Sequence, residues 1–215
     1  MIANVYQFDY VKKDLTWFIL DSKDGDEDIR LFNSPEEEDN VRKAIHPIKL
    51  IYEYIPRKMT IAEKRNYLVK KSPTNWWANM DSDDLYMESY LTYSIDKMKA
   101  EKKELCGSKQ MLFIYPHHDN QISAIECPAN RQAHEATMVG TQKYFRSMSG
   151  FTRNDAKGEG ASLIDGNENN VCMTQCAQQM ICICHSRNTC NKDLFLDKKC
   201  EGAEFSGFKF ELLKD

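Results

Sequence analysis

Three carboxylates fall within four residues near the middle of the chain, at Asp81, Asp83 and Asp84. They follow the apolar stretch 76–80, which predicts a short strand because aromatic side chains suit a pleated, half-buried surface. Carboxylates this close repel one another, and a hard divalent cation with oxygen ligands relieves that repulsion. The same residues are also typical of an acidic turn before a helix, with Asp83 or Asp84 as the N-cap. Taken alone, the pattern does not decide between a metal site and a helix cap.

Other polar side chains follow apolar runs in the same way. The run 15–20 predicts a strand buried on both faces, and Asp21 comes directly after it. A late apolar run at 179–184 predicts another core strand that leads to His185 and Asn188. Open α/β sheets bind ligands beyond the carboxyl ends of their strands, so we expect these groups to share one edge with the Asp81 loop. Neither the loop that begins at Asp21 nor the loop that begins at Asp81 has the glycine and distal glutamate spacing of a calcium-binding EF-hand.

Helices and strands alternate through the first half of the chain, which predicts a doubly wound α/β sheet. Ser34 before Pro35 predicts the start of one helix. The capping box from Thr60 to Glu63 predicts the start of another, and a strand at 48–55 lies between the two helices.

The second half is richer in predicted strands. Apolar residues at helical spacing in 87–98 predict a core-facing helix. Alternating patterns at 110–115 and 121–126 predict a hairpin, and a further strand is expected at 137–145. The segment 147–170, which contains Gly158, Glu159 and Gly160, reads as an irregular connection. Together these features predict a mixed, mostly parallel sheet flanked by helices in a single α/β domain.

Composition narrows the classes of protein to which the chain could belong. Its 215 residues are 41% hydrophobic and 29% charged, and its formal charge of −4 argues against a nucleic-acid-binding protein. No run approaches the roughly 20 apolar residues of a membrane span, and no secretory signal is evident. Eight cysteines without such a signal favour a reduced, cytoplasmic compartment. Their spacing lacks the paired C-x2-C units of a zinc site.

Four motifs, taken in order, resemble those of GT-A glycosyltransferases, and Asp81-Ser82-Asp83 is similar to the D-x-D signature of that family. The likeness extends over residues 16–191. Within the family the chain resembles the glycosyltransferase domains of chlorella viruses, which act on glycans of the major capsid protein. The motifs are Lys64-Arg65-Asn66, Trp77-Ala78-Asn79-Met80-Asp81-Ser82-Asp83-Asp84, Gly158-Glu159-Gly160-Ala161-Ser162 and His185-Ser186-Arg187-Asn188-Thr189.

The resemblance implies a hexosyltransferase of GT-A-like fold, with a nucleotide-binding half at 1–106 and an acceptor-side half at 107–215. It implies a Mn²⁺ or Mg²⁺ ion that neutralises the diphosphate leaving group of a nucleotide-sugar, expected to be a UDP-sugar. The implied acceptor is a glycan or glycoprotein, here the viral major capsid protein, with the enzyme in the host cytoplasm. The oligomeric state stays open. The implied metal ligands are Asp81, Asp83, Asp84 and His185.

Roles in donor binding and catalysis are carried over in the same way. Asp21 is expected at the nucleobase or ribose and Arg65 at the base or a phosphate. Glu159 is expected near the reacting sugar, as a general base or as an acceptor-binding group. The commonest inverting pattern has a clearer acidic pair there, so the stereochemical outcome stays open. The full implied sets are Asp21, Arg65, Asn79, Asp81 and Asn188 for the donor, and Glu159 and Asp83 for catalysis.

Two other classes compete with this interpretation. A nucleotidyltransferase or phosphohydrolase would also use paired carboxylates with a metal. Nucleotidyltransferases of sugar metabolism usually carry a glycine-rich phosphate loop near the N-terminus, and residues 1–14 contain no glycine. A non-catalytic carbohydrate-binding module could use Trp76 and Trp77 but would not need the carboxylates together with His185.

Overall fold

Five helices and ten strands make up the regular structure of the computed structural model, which describes residues 2–23, 29–127, 133–152, 158–186, 188 and 191–199. The helices are α1 (Ile2–Gln7), α2 (Pro35–Ala44), α3 (Ile61–Lys71), α4 (Tyr90–Glu101) and α5 (Gln142–Ser147). The strands are β1 (Thr16–Ser22), β2 (Lys49–Ile55), β3 (Trp76–Ala78), β4 (Leu85–Tyr86), β5 (Leu105–Gly107), β6 (Gln110–Tyr115), β7 (Gln121–Glu126), β8 (Val139–Thr141), β9 (Val171–Met173) and β10 (Met180–Ile183).

The strands form three sheets within the described part of the chain. β1 and β2 pair alone, a second sheet has the order β3-β8-β5-β9, and a third has the order β4-β10-β6-β7. The pairs β1–β2, β5–β9 and β6–β10 are parallel, and the other four pairings are antiparallel. The predicted single α/β domain with mixed strand pairing and flanking helices is therefore confirmed, but the sheet is not mostly parallel as expected, since four of the seven pairings are antiparallel. None of the described helices has the length and apolar character needed to cross a membrane.

Local signals in the sequence placed both early helices correctly. Ser34 caps α2 by accepting the amide hydrogen of Glu37, as its position before Pro35 predicts. Thr60 and Glu63 form the reciprocal capping box at the start of α3, with N···O distances of 3.1 and 2.9 Å. These contacts depend on neighbouring residues alone, so the sequence contains the information needed to predict them.

Two predictions about the strands were wrong in part. Residues 137–145 do not form one strand, because Thr141 Oγ1 accepts the amide hydrogen of Tyr144 at 3.1 Å and starts α5 after β8. Strand β1 is mostly half-buried rather than buried on both faces. A cavity beside residues 16–20 takes the place of the packed neighbour that the apolar run predicted.

Strand β3, which leads to the acidic loop, is held in place by Trp77. Its indole is buried, lies edge-on to Phe145 and Phe151 with ring centroids 6.0 Å away, and donates from Nε1 to the carbonyl of Thr141. Opposite Trp77 on β8 stands Gly140, where an added Cβ would lie 2.8 Å from the indole ring. At least this Trp therefore serves core packing, and the missing side chain at 140 makes room for it.

Gly140→Ala is expected to lower the free energy of unfolding by about 1–3 kcal/mol, because the added methyl overpacks the contact with Trp77. Urea denaturation measures this change. The loss should be smaller in a Trp77→Phe background, where the nearest ring atoms are absent. A loss below about 0.5 kcal/mol, the usual range for neutral surface changes, would contradict the packing account.

Candidate functional site

The acidic loop after β3 is fixed from beneath by two buried tyrosines. Tyr86 Oη accepts the amide hydrogen of Asp81 at 2.8 Å, and its hydroxyl donates to the carbonyl of Ala136 at 3.1 Å. The hydroxyl of Tyr90 donates to the carbonyl of Asn79 at 2.7 Å. Because the loop backbone is anchored in the core, its carboxylates have defined directions.

Asp81 is held by Arg65 from α3. Nη2 of Arg65 lies 2.9 and 3.2 Å from the two carboxylate oxygens of Asp81, and Nε lies 3.6 Å from Oε1 of Glu159. The guanidinium is buried, with 9% of the residue exposed. Burial alone would lower the pKa of Arg65, but the carboxylates of Asp81 and Glu159 outweigh it and raise that pKa.

One nitrogen of Arg65 stands out. Nη1 is buried, and no described residue accepts a hydrogen bond from it. Leaving a buried donor unpaired costs about 1–3 kcal/mol, and more when the group is charged. Because Nη1 has less than 1 Å² of accessible surface, a ligand oxygen could reach it only if the side chains that cover it moved.

Asp83 meets two residues from the other end of the chain. Its Oδ2 lies 3.1 Å from Nε2 of His185 and 3.2 Å from Nδ2 of Asn188. Asn188 also accepts the amide hydrogen of His185 at 2.8 Å, which fixes the turn after β10. Asp83 and His185 are partly exposed, with 44% and 30% of their side chains open to solvent. The structure thus brings together three residues that the sequence analysis proposed from two separate motifs, with Asp83 in one and His185 and Asn188 in the other.

Asp84 points the other way. Its carboxylate accepts hydrogen bonds from the backbone of Ile183 at 3.1 Å and from Cys182 Sγ at 3.3 Å, so it is bound to β10 inside the core. It caps no helix, because α4 begins after Ser89. The interpretation of this loop as a helix cap is therefore wrong. Desolvation raises the pKa of Asp84 to about 7.

Burial of Asp84 predicts a pH-dependent stability. Between about pH 4 and pH 7 the unfolded chain has lost this proton and the folded chain keeps it, so stability falls as pH rises through that window. The shift is worth on the order of 3–4 kcal/mol. Asp84→Asn should remove that part of the slope, measured by urea denaturation in metal-free buffer at several pH values. Identical pH profiles for the two proteins would contradict this account.

Asp21 lies at the carboxyl end of the β1–β2 pair. Its Oδ2 accepts hydrogen bonds from the amide of Leu31 at 2.8 Å and from the hydroxyl of Tyr52 at 2.9 Å. Burial, followed by the hydrogen bond to Asp21, raises the pKa of Tyr52 to about 12. Residues 24–28 of the same loop, together with Arg187 and Thr189 of the last motif, lie outside the described residues.

Two cavities meet at the pair formed by Asp83 and His185. The first, about 530 Å³, lies between β1, α3 and the acidic loop. Its volume is within the range of about 300–1,000 Å³ that small-molecule sites occupy. Arg65, Asp81 and Asp83 line it, and so does Asn79. The second cavity, about 430 Å³, is polar and is lined by His185, Asn188 and Lys192 among others.

The fold is glycosyltransferase-like. S. aureus TarS 1–349 in complex with UDP-GlcNAc superposes with a TM-score of 0.63 at 11% identity, over 87% of this chain and 55% of the TarS 1–349 chain. A mannosyltransferase of Pyrobaculum calidifontis in complex with GDP-Man and Mn²⁺ superposes with a TM-score of 0.53 at 12% identity, over 74% and 45%. The chain thus spans about half the length of these structures. No family model and no curated protein sequence matches it.

The four predicted metal ligands do not form a single cluster in this fold. Within the described ranges, no three His, Cys, Asp or Glu side chains form a group that could hold a metal ion. Asp84 is turned into the core and Asp81 is held by Arg65, so Asp83 and His185 are the two that remain close together. The carboxylate of Asp83 fits an ion that takes its other ligands from substrate phosphates and water, as Mg²⁺ does in phosphate sites, whereas an imidazole is more typical of Zn²⁺ and similar transition metals.

Glu135 is an acidic residue near Arg65 that the motifs did not identify. Glu159 is buried, and desolvation followed by the nearby charge of Glu135 raises its pKa, against the effect of Arg65. Glu135 accepts the amide hydrogen of Gly160 at 3.0 Å. It lies in a short turn before β8, where no periodicity or motif distinguishes it from other surface acids. Lys192, in the second cavity, was missed for the same reason.

Proposed function

We propose that the chain is a glycosyltransferase domain that transfers a sugar from a nucleotide diphosphate-sugar to a glycan acceptor. The observation that carries the proposal is the contact of Asp83, which lines the first cavity together with Arg65, with His185 and Asn188, which line the second cavity. The bound UDP-GlcNAc and GDP-Man of the two similar structures support this donor class. A UDP-sugar is the donor we propose first.

The nucleotide-binding half of the proposal comprises residues 1–106. Asp21 binds the base or ribose, and Arg65, which lines the first cavity, contacts the base or a phosphate. Asn79 stabilises the structure of the site rather than contacting the donor, because its side-chain amide donates a hydrogen bond to the carbonyl of Glu135 at 2.6 Å. Asp81 orients Arg65 through its paired contact, and Asn188 orients Asp83 and His185.

Asp83 and His185 are the side chains that would hold a Mn²⁺ or Mg²⁺ ion. When bound, such an ion supplies positive charge beside the diphosphate as negative charge develops on the leaving group. Asp83 lines the first cavity and His185 lines the second, so an ion held by both would place the diphosphate beside this pair. The buried tyrosines anchor the loop backbone at Asn79 and Asp81, and His185 and Asn188 hold the carboxylate of Asp83.

The acceptor-side half is proposed to comprise residues 107–215, with Glu159 near the reacting sugar. The motif resemblance to chlorella-virus domains extends the proposal to glycans of a viral major capsid protein and to action in the host cytoplasm. Those finer assignments rest on the resemblance.

Nucleotide binding is tested by melting temperature with UDP, GDP, CMP or ADP, each with and without Mn²⁺. A ligand at 100 times its Kd stabilises the native state by about 2.7 kcal/mol, which corresponds to a rise of roughly 5–10 °C for a domain of this size. We expect the largest metal-dependent rise with UDP. If no nucleoside diphosphate raises the melting temperature in a metal-dependent way, the proposal is wrong.

Turnover separates a glycosyltransferase from a phosphohydrolase. UDP-sugars incubated with the protein and a glycan acceptor should release UDP together with a glycosylated product. Cleavage inside the diphosphate, with UMP and a sugar phosphate as products, would instead assign a metal-dependent phosphohydrolase.

A further inference from the structure

The second cavity lies beyond the carboxyl ends of β6 and β10, which are parallel neighbours. Tyr115, the last residue of β6, lines it together with Cys184 and His185, which follow β10. Ligands of α/β sheets bind in this kind of position. We propose that the second cavity binds a phosphate group and that Lys192 holds it. The inference rests on the proposed function for the molecule that carries this phosphate, and it deepens that function.

Lys192 is a half-buried cation that lines this cavity. Burial by itself would lower the pKa of Lys192, but the groups around it, first Cys182 and then Asp84, outweigh burial and raise that pKa. They act through charge and not through a hydrogen bond to the amine, so the amine stays protonated with its donors available. A charge that is partly withdrawn from water is stabilised by a partner in direct contact, and a phosphate oxygen in the cavity supplies one.

The backbone and the side chain of Lys192 are both held in place. The hydroxyl of Tyr115 donates to the carbonyl of Lys192 at 2.8 Å, and the amide of Phe195 donates to the same carbonyl at 2.9 Å. The ring of Phe195 stacks on that of Phe113 with centroids 5.3 Å apart, and Nζ of Lys192 lies 6.0 Å from the centroid of Phe113. Because the lysine is already ordered, binding of a ligand costs less side-chain entropy.

The lining of the second cavity favours a phosphate over a neutral sugar. Hydrogen-bond donors surround it, among them the side chains of His117, His118 and Asn188. Asp193 is the one carboxylate among the described residues that line it, and this residue is exposed. Sugar hydroxyls need acceptors as well as donors, whereas phosphate oxygens need donors. Lys192 adds the one permanent positive charge among the described lining residues.

A phosphate in the second cavity lies close to the acidic loop. His185 and Asn188 line this cavity and contact Asp83 at 3.1 and 3.2 Å. The pKa of Asp84, about 7, leaves that carboxyl about half protonated at neutral pH, so it repels a phosphate less than an ionised carboxylate does. Lys192 opposes the repulsion that remains. Two sources of the phosphate fit this position: the β-phosphate of the nucleoside diphosphate, or a phosphate carried by the acceptor glycan.

Lys192→Met tests the site with inorganic phosphate as the ligand and metal-free protein, by isothermal titration calorimetry. The substitution keeps an unbranched apolar side chain and removes the charge. Loss of a charge-assisted hydrogen bond should raise the Kd for phosphate by about 10–100-fold. Lys192→Arg keeps the charge and should stay within about threefold of wild type. Lys198→Met is the matched control, because Lys198 is exposed and contacts Ala124 through its backbone carbonyl, and it should leave the Kd unchanged.

Affinities for UDP and UMP identify the source of the phosphate. If it is the β-phosphate of the nucleotide, Lys192→Met should weaken UDP binding by about the same factor and leave UMP binding within about twofold, because UMP lacks that group. If it belongs to the acceptor, both nucleotide affinities should stay unchanged. The KM for a phosphorylated glycan acceptor should then rise in Lys192→Met, while the KM for a neutral glycan should not.

Two results would overturn the inference: a phosphate Kd for Lys192→Met within about twofold of wild type, or a wild-type protein that binds no phosphate at millimolar concentration. If Lys192→Met does not fold, Lys192→Gln takes its place under the same criterion. The proposed function fails in a different way. A wild-type protein that binds inorganic phosphate through Lys192, but shows no nucleotide melting shift and releases no UDP, retains the phosphate site and overturns the glycosyltransferase assignment.

Discussion

Asp83→Asn is expected to abolish the Mn²⁺-dependent rise in melting temperature that UDP produces, and to lower kcat by roughly 10²–10³-fold or more. The reason is that Asp83 is the one carboxylate of the acidic loop that is both partly exposed and directed at His185. Asparagine keeps the size of the side chain and can still face Asn188, so the melting temperature of the ligand-free protein should not change.

Asp84→Asn is the matched control, since it makes the same chemical change at the next residue. Because the carboxylate of Asp84 binds the backbone of β10, we expect this variant to keep the UDP-induced shift at neutral pH. If both variants lost the shift, the loop would act as a unit and the separate roles argued for its two carboxylates would be wrong. A ligand-free protein destabilised by Asp83→Asn would show that Asp83 serves the fold.

The contrast between these neighbours shows where sequence reasoning stops. The motifs predicted that Asp83 would lie near His185 and Asn188, because each of these residues comes just before or just after a strand that the apolar pattern located. The structure contains these contacts. The motifs could not separate Asp83 from Asp84, since both lie in the turn between β3 and β4 and the local sequence does not say which of the two side chains faces β10. Only the pairing of β4 with β10 decides that Asp84 is turned inward.

Arg65 and Glu135 illustrate the same limit. The capping box predicted where α3 begins, and the start of the helix depends on local contacts alone. Whether Arg65 lies on a solvated face or beneath a ligand depends on packing against distant segments, including Phe151, whose ring centroid is 5.9 Å from the guanidinium. Glu135 meets Gly160 across 25 residues, and nothing in either local sequence predicts that contact.

Arg65→Met is expected to lower the free energy of unfolding by about 3–5 kcal/mol, the usual cost of leaving buried charges without their partner. The substitution removes the paired contact with Asp81 and leaves Glu159, which is 5% exposed, without its cation. Urea denaturation at neutral pH measures the loss. Lys64→Met is the matched control, because Lys64 neighbours Arg65 on the same helix and also lines the first cavity. We expect a change within about 0.5 kcal/mol for it.

A double variant and a change of pH separate charge from packing in this prediction. If the loss comes from the unpaired carboxylate, Glu159→Gln should recover part of it in the Arg65→Met background, although the two single losses would otherwise add. Burial already raises the pKa of Glu159, and removal of Arg65 should raise it further, so the variant should be less destabilised at about pH 5 than at about pH 8. Strictly additive losses with no dependence on pH would assign the effect of Arg65 to its packing against Phe151.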